Sequence, residues 1–289
     1  MNIFILGGSS FIGKNLISKI PSEWNIRATY NTSTTFLNYI KNFPNVDPIK
    51  INLFDNELPE IYSSEVVLYL AGISPGQAGL ETIDGLNKMD FLHAKVISSI
   101  FNNISECKKF IYFSSGIHYL WNDYSPYRKS RMIGEANLKL HSKAKNISYV
   151  IIRNMEIYGD YMAKHKIYRK ICNAAIDGKN KIDINGDGKN FIDTMFIDDY
   201  VDIIIELISS GISNETIDIC KSEPVTVKDL IYTTYNVLNK DKPEINFFGN
   251  PTEATDFILS NAKMLSLFNS APNTSLESGL KKWINNGLK

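Results

Sequence analysis

A short, largely apolar run, Asn2 to Leu6, passes directly into Gly7-Gly8-Ser9-Ser10-Phe11-Ile12-Gly13 and then into a helix-period stretch. No other feature restricts the fold as strongly. A strand that turns at once into a helix needs glycine where the backbone reverses and where helix and strand pack closely. The N–H groups left free at the helix start then form a receptor for phosphate. Gly7 suits the tight turn and Gly13 the close packing. Ser10 stands where such turns more often carry their middle glycine; it is small enough to lie beside a bound pyrophosphate and able to donate to it.

The first two thirds of the 289-residue chain repeat this alternation. The runs NIFIL, NIRATY, IKINL, VVLYLAG, FIYFSS and YVIIR include several that are apolar at successive positions, as strands covered on both faces are. Helix-period segments near residues 11–20, 33–42, 87–105 and 127–142 separate them. Right-handed crossovers then give an α/β fold with a Rossmann-type doubly wound parallel sheet. In MFIDDYVDIIIELI, Asp198 or Asp199 is expected to cap a helix, and TIDIC to return to the sheet. Short helices and turns from Pro224 onward suggest a small α/β lobe. The expected division is a dinucleotide-binding domain of 1–158 plus about 194–222, and a substrate-binding lobe of 159–193 plus 223–289.

Composition excludes more than it suggests. A formal net charge of +0 gives no bulk attraction to nucleic acid or an anionic membrane. Cys107, Cys172 and Cys220 have no metal-ligand spacing and read as reduced thiols. No apolar run reaches the length of a membrane span, and no leader pattern is visible, so a cytoplasmic protein is expected.

The chemistry gathers around two stretches. FIYFSSGIHY ends an apolar run with Ser114 and Ser115, and twelve residues after Ser115 comes Tyr127, in SPYRKSRMIGE. Tyr127 and Arg131 stand i, i+4 and share a helical face. A phenol titrates near 10, and a fixed cation beside it favours the phenolate.

GGSSFIG, LYLAG, FIYFSSGIHY, SPYRKSRMIGE, IIRNMEIYGD and NGDGKNFIDTMFIDDYV occur in one order. In these pieces the chain resembles, over nearly its whole length, the extended short-chain dehydrogenases/reductases, the NAD(P)-dependent epimerase/dehydratase family acting on nucleotide sugars. The resemblance implies that Tyr127 is the acid/base, that Ser115 orients the reacting oxygen, and that a nicotinamide moves a hydride. It places Arg131 where the family has the lysine that holds the nicotinamide ribose. Arginine keeps the charge but does not readily relay a proton. Cofactor contacts are implied for Gly7, Ser9, Ser10, Phe11, Ile12 and Gly13, for Tyr30, Asn31, Asn52 and Leu53, and for Leu70, Ala71, Gly72, Tyr127 and Arg131. Substrate contacts are implied for Ser74, Ser115 and Glu156. No metal is implied, and a homodimer is.

Departures from the family pattern narrow the reaction. Tyr30 and Asn31 stand where NAD-binding members carry an acid, and no Asp or Glu occurs between Glu23 and Asp47. A 2′-phosphate would meet no repulsion there, which leans towards NADP over NAD. Gly116-Ile117-His118 follows Ser115 in place of the Asp-Glu pair of dehydratases, so dehydration is disfavoured. His118 reads as structural. Ile192 replaces a diphosphate-binding arginine and Glu156 an asparagine, so either diphosphate binding falls to other residues, Lys189 and Arg169 being the nearest candidates, or the substrate lacks a diphosphate. The short Ser115–Tyr127 segment resembles that of sugar-nucleotide 4-keto reductases. The preferred expectation is therefore reduction of a 4-keto-6-deoxy sugar nucleotide. A nucleotide-sugar 4-epimerase is the alternative. A non-catalytic NAD(P)-binding homologue is a third, motivated by Ser10, Arg131, Glu156 and Ile192 together.

Overall fold

The computed structural model describes residues 1–54, 64–73, 82–119, 125–249, 256 and 258–289. The alternation becomes β1 (Asn2–Leu6), α1 (Phe11–Lys19), β2 (Asn25–Tyr30), α2 (Thr34–Ile40), β3 (Val46–Lys50), β4 (Val66–Tyr69), α3 (Ile83–Phe91), α4 (Ile97–Asn103), β5 (Lys109–Ser115), α5 (Pro126–Lys145) and β6 (Ser148–Asn154). There follow β7 (Glu156–Tyr158), α6 (Ile167–Ile176), β8 (Lys181–Asn185), β9 (Phe191–Phe196), α7 (Ile197–Ser209), β10 (Glu215–Ile219), β11 (Pro224–Thr226), α8 (Val227–Val237), β12 (Glu244–Phe248), α9 (Ala262–Leu267) and α10 (Leu276–Asn285).

Seven strands form one sheet in the order β10-β6-β5-β4-β1-β2-β3, and TIDIC supplies its last strand, β10. The strand β1 runs parallel to both β2 and β4, β2 to β3, and β4 to β5. The chain therefore lays down β1, β2 and β3 in one direction and resumes with β4 on the other side of β1. A reversal of this kind opens a crevice at the carboxyl ends of the two inner strands, where doubly wound sheets bind ligands. Phe4, Val67, Tyr69, Phe110, Tyr112 and Ile151 pack with Ile97, Ile100, Phe101 and Leu138 in one buried cluster. Each such side chain contributes roughly 1.5–3 kcal/mol by leaving water.

Local chemistry sets the element ends, and here structure and periodicity differ. The third strand starts at Val46, ahead of the apolar run IKINL, and contains Pro48. At the sheet edge, proline removes no needed ladder donor. The helix expected from residue 87 begins at Ile83, because Thr82 caps it by accepting from the Gly85 N–H at 3.1 Å. A π-helical turn over Leu92–Val96 joins α3 to α4. Ser125 caps α5, accepting from the Arg128 N–H at 3.2 Å, and Asn146 closes it in the left-handed region at φ 52. Asp198 and Asp199 lie in the first turn of α7, past the cap position. Asp199 accepts from the Thr274 N–H and hydroxyl at 2.8 and 2.7 Å, and Asp198 pairs with Lys282.

The chain divides into two compact units, Met1–Arg153 with Ile204–Ile217, and Asn154–Ile203 with Asp218–Lys289. The second unit holds a three-stranded sheet, β11-β9-β7, and a parallel pair, β8 with β12. Its core includes Tyr158, stacked on Tyr168 at 5.3 Å and tilted against Phe196 and Trp283. Among the described residues no helix is long and apolar enough to cross a membrane.

Candidate active site

The turn after β1 is built on three close backbone approaches. Gly7 has φ +96, where side chains are rarely tolerated, and a Cβ there would lie 3.0 Å from the Ala71 nitrogen beyond β4. A Cβ at Gly13 would lie 2.5 and 2.6 Å from the carbonyl oxygens of Gly7 and Gly8, so only glycine lets α1 sit down on the turn. Gly8 was not among the expected site residues; a Cβ there would meet the Ala28 Cβ at 2.7 Å. That contact crosses to β2 and has no local signature.

Ser10 has a structural use of its own. It is the N-cap of α1, and its Oγ accepts from the Gly13 N–H at 3.1 Å. Glycine at this position would leave that donor without its side-chain acceptor. Gly7 N–H donates to Thr29 Oγ1 at 2.9 Å, Ser9 N–H to the Thr29 carbonyl at 3.3 Å, and Ser10 N–H to the Gly7 carbonyl at 3.0 Å. The N–H groups of Phe11 and Ile12 have no intrahelical acceptor and stay available to a phosphate at the positive end of α1. This cradle fits a dinucleotide.

The other expected cofactor residues lie at the carboxyl ends of the same strands. Tyr30 ends β2, its carbonyl accepting from the Ile51 N–H at 2.8 Å and its ring 5.9 Å from Phe36. Asn31 is exposed. Asn52 accepts from the Phe54 N–H at 3.3 Å, and Leu53 packs against the core. Leu70 N–H bonds the Leu6 carbonyl at 2.9 Å, and Ala71 is buried.

Ser115 closes β5. Its Oγ accepts from the Ile117 N–H at 3.3 Å, inside a 3-10 turn over Gly116–Tyr119. The hydroxyl proton remains for another acceptor. Tyr127 sits in the first turn of α5, half-buried, and one turn later the Arg131 guanidinium carbon lies 5.0 Å from its ring centroid. Such a cation–π contact strengthens away from water. Arg131 is buried, and its Nη1 donates to the Phe113 carbonyl at 2.9 Å, two residues before Ser115. Gly72 makes room for it, since a Cβ there would lie 2.5 Å from Nη2.

Burial opposes the charge on Arg131, but the hydroxyls of Tyr127 and Tyr112 outweigh it and raise its pKa further. It is a permanent cation. Among the described residues no carboxylate is within ion-pair distance of it, and its Nε finds no acceptor. Behind it, the Tyr112 hydroxyl lies 3.0 Å from His93 Nδ1. Burial, aided by Arg131, pushes the His93 pKa well down, so that imidazole is neutral.

A second set of groups lies beside the first. Ser114 Oγ donates to Glu135 Oε1 at 2.7 Å, and His118 Nε2 is 3.0 Å from the same oxygen and 3.1 Å from Ser114 Oγ. Arg153 grips Glu135 with both prongs, Nε to Oε1 at 3.0 Å and Nη2 to Oε2 at 2.7 Å. Burial alone would raise the Glu135 pKa, but the bonds from His118, Arg153 and Ser114 hold it at about 2. Glu135 lies on the helix of Tyr127 and Arg131, within the motif that suggested the site. Its partner Arg153 is on β6, and no spacing rule links the two.

Of the substrate expectations, Ser74 lies outside the described residues. Glu156 is on β7, opposite Thr194 of β9, and Ile192 is on β9 opposite Val225. Arg169 donates to the Lys289 carbonyl at 3.0 Å and lies over Trp283, while Lys189 pairs with Asp187 at 3.4 Å. Both expected diphosphate candidates are thus engaged within the second unit.

Known proteins share this fold. A family model described as the NAD dependent epimerase/dehydratase family matches residues 3–220. The dTDP-glucose 4,6-dehydratase of Haemophilus influenzae is 22% identical over 98% of this chain and 97% of its own length. Among solved structures, UDP-glucose 4-epimerase of Thermotoga maritima, with UDP-glucose, superposes with a TM-score of 0.86 at 21% identity over 100% of both chains. UDP-glucuronic acid 4-epimerase of Bacillus cereus, in complex with UDP-glucuronic acid and NAD, gives 0.85 at 21%, again over 100% of both.

Proposed function

The chain belongs to the NAD dependent epimerase/dehydratase family, and from that premise we propose that it inverts a hydroxyl-bearing carbon, C4, of a nucleotide-activated sugar. The observation that carries this reading is Arg131 lying over the Tyr127 ring with no carboxylate of its own among the described residues. The nicotinamide cofactor supplies the acceptor and donor of hydride. Phe11 and Ile12 N–H would hold its pyrophosphate, and the Gly7 turn would admit it. Tyr127, as a phenolate stabilised by Arg131, would take the proton of the C4 hydroxyl when that carbon is oxidised. Ser115 donates to the same sugar oxygen and keeps it in place. Tyr127 would return that proton to the same oxygen when the carbon is reduced again.

Proton accounting favours inversion over reduction. In epimerisation the tyrosine returns the proton it took, and no outside proton is consumed. Reduction consumes one proton per turnover, and a guanidinium does not pass protons on at neutral pH. The epimerases among the similar structures support the same choice. Reduction of a 4-keto-6-deoxy sugar nucleotide by NADPH is the second reading, favoured by Tyr30 and Asn31 where an acid would repel a 2′-phosphate.

Proton NMR on purified protein tests both, with UDP- and dTDP-hexoses and a trace of NAD in one arm and a 4-keto-6-deoxy sugar nucleotide with NADPH in the other. New anomeric signals without net cofactor change support epimerisation. Loss of one NADPH per keto-sugar consumed, with no interconversion, sinks it in favour of reduction.

A further inference from the structure

The turn Gly116–Tyr119, which follows Ser115, is anchored at three points. The His118 ring bonds Glu135 at 3.0 Å, the His118 carbonyl accepts from Arg128 Nη2 at 3.3 Å, and the Tyr119 hydroxyl accepts from Arg153 Nη1 at 2.9 Å. Arg153 is itself gripped by Glu135. On the other side of Ser115, the hydroxyl of Ser114 donates to the same carboxylate at 2.7 Å. Both chain neighbours of the Ser115–Ile117 hydrogen bond therefore hang on one buried group. Glu135 is ionised and only accepts, so His118 Nε2 carries the proton in its bond to Oε1.

A serine hydroxyl left to itself turns to bond its own backbone. Here the Ile117 N–H occupies an acceptor site on Ser115 Oγ, which restricts the rotor and keeps its proton for an outside acceptor. Stability alone does not require a carboxylate at this place, since an apolar cluster of equal volume is often as stable as a buried ion pair. We propose that Glu135, acting through His118 and Ser114, is the positioning residue for the Ser115 hydroxyl. This rests on the reading of Ser115 as the group that orients the sugar oxygen. His118 is then a device of this chain for setting a donor, with no proton transfer of its own.

The test is a double-mutant cycle with a structural arm. His118→Ala is expected to lower kcat roughly 10- to 100-fold, in keeping with the cost of small misplacements near reacting atoms, with NAD(H) affinity unchanged. His118→Gln, which keeps a donor, recovers most of that loss. In a Ser115→Ala background, His118→Ala has no further effect, because its target is already gone. An equal fall in both backgrounds, or no fall in the wild-type background, overturns the proposal. Glu135→Gln, checked for folding by thermal melting, should behave as His118→Ala does. A crystal structure of the His118→Ala variant decides the matter without any activity. Loss of the Ser115 Oγ–Ile117 bond supports positioning, and an unchanged bond overturns it even if wild-type protein turns over no nucleotide sugar, an outcome that would count against the catalytic reading instead.

Discussion

Two arginines near the end of β5 stand in opposite surroundings, Arg131 buried and Arg153 only half-buried. Arg153 meets a carboxylate with both prongs, and the bonds to Glu135 raise its pKa. Arg131 meets only neutral groups among the described residues, the Phe113 carbonyl and the hydroxyls of Tyr112 and Tyr127. A buried ion lacking a counter-ion is costly, and a complete pair much less so. The Arg153 corner is therefore finished as folded. The Arg131 corner holds no counter-charge among the described residues, and on the proposed reading a Tyr127 phenolate supplies it during turnover. One corner holds shape, and on the proposed reading the other is kept for chemistry.

The comparison breaks most sharply at Tyr127. Tyr127→Phe is expected to lower turnover by about 10²–10⁴-fold while a fluorescence titration finds cofactor affinity unchanged. Wild-type turnover in that variant would remove Tyr127 from the acid/base role, and no turnover by either protein would leave the non-catalytic reading standing. At the other corner, Arg153→Met strands Glu135 and should cost about 3–5 kcal/mol of stability in denaturant melts, because an uncompensated charge stays buried. Arg131→Met should do the reverse. Turnover falls about 10²–10³-fold, as for loss of a donor to developing charge, whereas stability drops only about 1–2 kcal/mol for the orphaned Phe113 carbonyl. Equal stability losses in the two arginine variants would erase the distinction.

Acid sharpens it further. The folded pKa of Glu135 is depressed to about 2, so its stabilisation is complete above the ordinary carboxylate range and is lost as pH falls from roughly 4.5 towards 2. The loss is of order 3 kcal/mol, and Glu135→Gln should remove that slope from a plot of melting midpoint against pH. The smallest effect belongs to the turn. Ser10→Ala should cost about 1 kcal/mol by removing the cap on Gly13, measured by chemical denaturation.

Much of the fold was legible because its signals are local. Apolar runs and helix-period stretches announced the sheet, and the positions of Gly7 and Gly13 announced the turn. Ser10 is instructive. Read as a missing glycine it looked like a departure, although serine just before a helix is an ordinary cap signal. The start of α3 at Thr82 was equally local and was obscured by the stronger apolar period downstream. The site divided along the same line. Tyr127 and Arg131 share one helix and were paired by spacing. Glu135 was visible on that helix, but Arg153, eighteen residues on and across a strand, was not paired with it.

Sequence alone determined the order of strands and helices, the strand-to-helix turn, and the tyrosine–arginine pair, because each depends on residues within a few positions of one another. Tertiary structure alone decided that Gly8 must be glycine against Ala28, that Gly72 must make room for Arg131, and that His118 faces Glu135. It also decided which arginine has a counter-ion. Those outcomes turn on contacts of a few ångströms between segments far apart in the chain, and burial then determines what each charge costs and what it can do.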